Sequence, residues 1–143
     1  DAIIRDAETL PLRANERRAR TDVVGHSMAL SEAAVWLSAR SGAHAIVAVT
    51  REGNTAQLLS AIRPRADIVA ATDNAEVARR LSLWHGVIPI VCDLDGDIEQ
   101  VITRAMENAI KHTNAPESAT MVVVNTAADL DRGAANFVRI RRA

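Results

Sequence analysis

The segment Thr50-Arg51-Glu52-Gly53-Asn54-Thr55 follows an apolar run and precedes a stretch with helical spacing. It holds the parts from which phosphate sites are built. Gly53 permits a positive φ angle or close backbone approach, Thr50 and Thr55 offer hydroxyls, and Arg51 offers a guanidinium. The N-terminus of the following helix supplies outward-pointing N–H groups and the positive end of a dipole. In an open α/β sheet, ligands collect outside the carboxyl ends of the strands. Thr50, Arg51, Gly53, Asn54 and Thr55 are therefore the expected phosphate-binding residues. The same residues also suit an ordinary tight turn and helix cap. Glu52 opposes an anion: at about 5 Å and an effective dielectric near 20, one unit charge contributes on the order of 3 kcal/mol, enough to offset Arg51 if both face the ligand.

A second group is Asp93-Leu94-Asp95-Gly96-Asp97, again after an apolar run. It resembles the nucleophile motif of haloacid-dehalogenase-type phosphatases, D-x-D-G-T on a strand end. That resemblance implies Asp93 as nucleophile, Asp95 as general acid and a magnesium ion to neutralise charge. Asp97 stands where the family has Thr, and Lys111 is the only lysine that follows. The alternative is a solvated acidic loop that caps a helix. It is not a calcium-binding EF-hand loop, because Ile98 occupies the required glycine position and Arg104 the twelfth. His26, His44, His85 and His112 are scattered without zinc spacing, and are expected in ordinary surface or partly buried roles. Cys92 is the lone cysteine, which excludes an internal disulfide and fits a reducing compartment. No metal site and no catalytic residue are expected.

The elements that must position these groups follow a βα alternation. Ala45 to Val49 leads through Thr50 into a helix with Leu58, Leu59 and Ile62 on one face, which Pro64 helps stop by disfavouring the helical conformation at Arg63. Ile68 to Ala71 meets Asp73, whose spacing to Glu76 predicts a capping box. That helix is expected to run through Val77, Leu81 and Trp84 and to close at Gly86. Val87 to Cys92 leads to a helix with Ile98, Val101, Ile102, Ala105 and Ala109 inward. Met121 to Val124 is a fourth strand. In a fifth, Phe137 to Arg141, Val138 and Ile140 alternate with Arg139 and Arg141, which predicts one solvent-facing side. Those arginines, with Arg142, form a basic end suited to phosphate or an acidic surface. Upstream, Leu30, Ala33, Ala34 and Leu37 mark a helix ended by Ser41 and Gly42, and another is expected over much of Asp1 to Ala19, interrupted at Pro11. Trp36 and Trp84 fall at apolar helical spacing and are expected in the core or an interface. The pattern predicts a three-layer α/β/α sandwich with a mainly parallel sheet.

The bulk numbers agree with one domain over residues 1–143. A chain of 143 residues has room for one ordinary core. Its 17 basic and 18 acidic residues give a formal charge of −1, no field to steer it to nucleic acid or an anionic membrane. With few aromatics as well, nucleic-acid binding is not expected. No apolar run approaches the roughly 20 residues that span a bilayer, and the start lacks the basic residues of a signal peptide, so a cytoplasmic location is expected. The chain begins at Asp1 inside a helical pattern, as expected for a piece of a longer polypeptide.

Two longer blocks then gain meaning: Ala45 to Ala56, with its Thr50-Arg51-Glu52-Gly53-Asn54-Thr55, and Arg63 to Thr72. Together they resemble the C-terminal domain of the pyruvate kinase family. Ala78-Arg79-Arg80-Leu81-Ser82-Leu83-Trp84-His85-Gly86-Val87-Ile88-Pro89 is similar to that family's R-x-L-x-L-x-x-G-V-x-P segment, and Gly133 to Asn136 is similar to its G-x-T-N. The resemblance covers essentially the whole chain. It implies a five-stranded mixed sheet with the last strand antiparallel, a subunit contact within a homotetramer, and an allosteric sugar phosphate, often fructose 1,6-bisphosphate, at the turn from Thr50 to Thr55. It also implies that the barrel which binds phosphoenolpyruvate, magnesium and potassium has no counterpart in these residues, so no cofactor is expected here. Glu52 replaces a small hydroxyl residue, and Asn125 to Ala135 holds only Gly133 where the family has a glycine-rich loop; both imply weakened effector binding. A phosphatase using Asp93 and Asp95, and a stand-alone domain binding a small ligand or a protein, are the competing expectations.

Overall fold

A computed structural model describes residues 18–126 and 136–143. The elements are α1 (Arg18–Ser41), β1 (Ala45–Val49), α2 (Asn54–Ile62), β2 (Asp67–Thr72), α3 (Ala75–Leu81), β3 (Val87–Val91), α4 (Ile98–Thr113), β4 (Thr120–Asn125) and β5 (Phe137–Arg142). The expected helix around Ile3, Ile4 and Ala7 lies outside the described residues, as does most of the loop from Asn125 to Ala135.

The strand β1 has no polar residue, and all five of its side chains are buried. A strand covered on both faces must read this way, and β1 is the centre of the sheet. The order is β3-β2-β1-β4-β5. The pairs β1–β2, β1–β4 and β2–β3 are parallel, and β4–β5 is antiparallel. The expected five-stranded mixed sheet is thus present.

Alternation along the strands divides the core in two. Val47, Val49, Val69, Ala71, Met121 and Val123 face α4, where Val101, Ile102, Ala105 and Ala109 meet them. Ile46, Ala48, Ile68, Ala70, Val122 and Val124 face the other way, against Ala34 of α1, Leu59 of α2 and Val77 and Leu81 of α3. Each fully buried aliphatic side chain contributes about 1.5–3 kcal/mol. The result is the expected three-layer sandwich.

Helix ends follow their local chemistry. Gly42 (φ 64°) follows α1, and the Ala43 N–H reaches back to the Ser38 carbonyl at 3.0 Å. Arg63 takes a left-handed φ of 58° before Pro64, and its N–H donates to the Leu59 and Ser60 carbonyls. Other expectations require correction. Asn74, not Asp73, caps α3, its side chain accepting from the Glu76 and Val77 N–H groups. The amide one residue later sits at the distance the first-turn donors need, which leaves Asp73 free for another partner. The helix α3 stops at Leu81, so Trp84 lies beyond it, in a turn where its N–H donates to the Leu81 carbonyl at 3.0 Å. Gly86 is left-handed (φ 72°) but closes that turn rather than the helix. Trp36 and Trp84 are 57% and 40% exposed, so neither is a core residue.

The arginine side of β5 also departs from expectation, although Val138 packs against the core as its apolar type predicts. Arg139 and Arg141 lie on the α4 side, where both guanidinium groups bond the Glu99 carboxylate, while Ile140 is 49% exposed. The basic end therefore has an acidic partner within the chain. These bonds, that to Arg139 first, hold the Glu99 carboxyl below the usual glutamate range.

Candidate functional site

The register places three threonines in a row. Val49 pairs with Ala71 on one side and with Asn125 on the other, so Thr50, Thr72 and Thr126 lie side by side where β1, β2 and β4 end. Strand β1 feeds α2 on one face of the sheet, whereas α4, leading into β4, lies on the opposite face. The carboxyl ends of β1 and β4 thus flank the point where the winding reverses. At such points a doubly wound sheet leaves a crevice.

Four of the five expected site residues gather there. Thr50 is buried; its N–H donates to the Ala71 carbonyl at 2.9 Å, and its hydroxyl accepts from the Gly53 N–H at 2.8 Å. That bond closes the turn and requires Gly53 to adopt φ 92°, a left-handed conformation that favours glycine. Gly53 is also where α2 begins, with no side-chain cap. A glycine cap leaves the first N–H groups of the helix without side-chain acceptors from that position. Asn54 is exposed at the first position of α2. Thr55 is buried, and its hydroxyl meets that of Thr126 at 2.6 Å.

The fifth residue goes elsewhere. Arg51 Nη1 bonds Asp73 Oδ2, and Nη2 donates to the Leu94 carbonyl at 3.4 Å and lies 3.6 Å from Asp95 Oδ1. The Arg51 carbonyl accepts from the Thr72 hydroxyl at 3.3 Å. The cation thus reaches past β2 towards the end of β3, away from the Thr55–Thr126 pair. Glu52 is exposed, and among the described residues it makes no ion pair.

The acidic loop after β3 has its own internal bonds. Asp93 Oδ1 accepts from the Asp95 N–H at 2.8 Å, and Asp93 Oδ2 lies 3.5 Å from Arg104 Nη1. Arg104 Nη2 bonds the Asp95 carbonyl, and Asp97 caps α4 by accepting from the Glu99 N–H at 3.1 Å. Asp93 and Asp95 face different arginines, and the loop reads as a closed turn and cap. Among the described residues no three His, Cys, Asp or Glu side chains are grouped to hold a metal ion. The four histidines are exposed. Burial pushes the Cys92 thiol up, against the opposing effect of Arg104.

Sequence reasoning missed Thr126 and the acidic partners of Arg51. The recurrence of threonine at three strand ends was the available signal, but only the strand order makes those ends neighbours.

These features define a doubly wound α/β domain with a glycine-capped helix at its switch point. The chain belongs to the family described as pyruvate kinase, alpha/beta domain, which matches residues 28–141. It is 29% identical over 129 residues to the pyruvate kinase of Clostridium acetobutylicum, covering 90% of this chain and 26% of that protein. It is 33% identical over 118 residues to that of Agrobacterium vitis, covering 82% and 24%. A crystal structure of a pyruvate kinase from Cryptosporidium parvum matches with a TM-score of 0.72 at 26% identity, covering 95% of this chain and 24% of that one. The chain spans about a quarter of the length of these relatives. No described helix is long and apolar enough to cross a membrane.

Proposed function

We propose that this chain is the regulatory and subunit-contact domain of a pyruvate kinase, and that the turn from Thr50 to Thr55 holds a phosphate of an allosteric sugar phosphate. The parent enzyme would transfer the phosphoryl group of phosphoenolpyruvate to ADP in the cytoplasm, in a barrel that supplies the magnesium and potassium sites. Positioned metals and cations carry that chemistry.

The observation that carries the effector reading is the start of α2 at the switch point. Gly53 begins the helix without a side-chain cap, and Thr50, Thr55 and Thr126 line the same end of the sheet with hydroxyls. Helix N–H groups and hydroxyls there suit phosphate oxygens, with Asn54 at the rim and Arg51 on the same turn, its guanidinium held by Asp73. A bound effector would act by favouring one quaternary state over another. Supporting the contact half, β5 ends the sheet with α1 packed beside it, and Trp36 and Ile140 are exposed. Such an edge is a template for pairing with another chain.

Thermal unfolding with inorganic phosphate and with fructose 1,6-bisphosphate tests the effector reading. A ligand at about 100 times its Kd stabilises by about 2.7 kcal/mol, roughly 8–11 °C for a domain of this size. No shift at millimolar concentrations of either compound would remove the turn as an effector site while leaving the family assignment intact. Light scattering tests the contact reading, which a strict monomer contradicts.

A further inference from the structure

Arg51 is the only cation between Thr50 and Thr55. A planar guanidinium grips a phosphate through its two Nη groups, used together as a fork. Here both are occupied: Nη1 by Asp73, and Nη2 by the Leu94 carbonyl with Asp95 beside it. The backbone of Arg51 is tied on the same side, its carbonyl taking the Thr72 hydroxyl at 3.3 Å. The two carboxylates differ in setting. Asp73 is the inner one, its side chain 33% exposed between the end of β2 and the cap of α3, while Asp95 is 87% exposed.

We propose that Asp73 and Asp95 form an autoinhibitory latch: they compete with the effector phosphate for Arg51, and occupancy of the site transfers the guanidinium from the carboxylates to the ligand. This rests on the reading of Thr50 to Thr55 as a phosphate site. Two consequences follow from the contacts. The latch lowers affinity, because the ligand must displace two charge-assisted partners of the cation. It also links the site to the loop before α4, because the Asp95 carboxylate loses Arg51 when that residue turns to the ligand, whereas Asp93 keeps Arg104.

Isothermal titration of the 143-residue chain with inorganic phosphate and with fructose 1,6-bisphosphate tests the latch, using Asp73→Asn, Asp95→Asn, Arg51→Gln and the double variant Arg51→Gln/Asp73→Asn. Asparagine keeps the shape and removes the charge. The expected result is binding about two- to fivefold tighter in Asp73→Asn, the range that a partly exposed ion pair supports, a smaller gain in Asp95→Asn, and no gain in the double variant over Arg51→Gln. Wild-type binding that neither asparagine variant tightens overturns the latch and leaves the site standing. A gain that persists without Arg51 also overturns it, since simple charge repulsion then suffices. Absence of binding in every variant overturns both the latch and the site. Circular dichroism establishes that each variant is folded; should Asp73→Asn fail, the exposed Asp95→Asn decides.

Discussion

The hydroxyls of Thr55 and Thr126 lie 2.6 Å apart, joining the first turn of α2 to the residue that follows β4. Thr55 is 2% exposed, so the bond is sheltered from water. Thr55→Val keeps the volume and removes one partner, leaving the Thr126 hydroxyl without it. The expected loss is about 1 kcal/mol in urea unfolding, together with a smaller phosphate-induced rise in Tm than in the unaltered chain. A variant that is less stable yet responds fully to phosphate would place the ligand elsewhere.

Gly53 and Leu81 are the second close pair. A Cβ on Gly53 would stand 3.0 Å from Leu81 Cδ2, and the backbone there has φ 92°. Gly53→Ala thus meets a steric and a conformational penalty together, and Leu81 is buried and has little room to yield. The expected destabilisation is about 2 kcal/mol, read from the urea midpoint. An alanine variant as stable as the parent would contradict this turn geometry.

Asn74 and Asp73 stand next to each other and do different work. The Asn74 amide caps α3, while Asp73 holds Arg51. Asn74→Ala is expected to cost about 1 kcal/mol, the usual cost of losing a cap. Asp73→Ala leaves that cap in place and should cost clearly less. Equal losses in thermal melts would show that the two side chains share the capping role.

Glu99 bridges α4 and β5 through Arg139 and Arg141. Its carboxyl is held below the usual glutamate range by those bonds, so the unfolded chain binds the proton more readily than the folded one. The stabilisation is therefore complete above the unfolded value, about 4.3, and is lost as pH falls through the lower folded value. Glu99→Gln should lower Tm at neutral pH by on the order of 1–2 °C, and the gap to the parent should close as pH falls below about 4. A gap that is constant with pH would mean that packing, not charge, holds β5 to α4.

Local sequence determined the elements and most of their ends; the cap of α3 at Asn74 and its stop at Leu81 were left open because adjacent residues offered similar chemistry. The run Ala45 to Val49 is uniformly apolar because both its faces are covered, and β1 occupies those same residues. Arg63 before Pro64, and Gly53 in a turn that needs a left-handed residue, were legible for the same reason. The family was legible too, since order and spacing of motifs from Thr50 to Pro89 survive in the chain itself. The rest of what the sequence left open depends on contacts between distant residues. Arg51 lies 22 positions from Asp73, and Thr55 lies 71 from Thr126. Each pair forms because the strand order β3-β2-β1-β4-β5 brings separate strand ends together. The arginines of β5 likewise looked solvent-facing until antiparallel pairing with β4 set them over Glu99. Periodicity tells which residues share a face of an element; only the assembled sheet decides what that face meets.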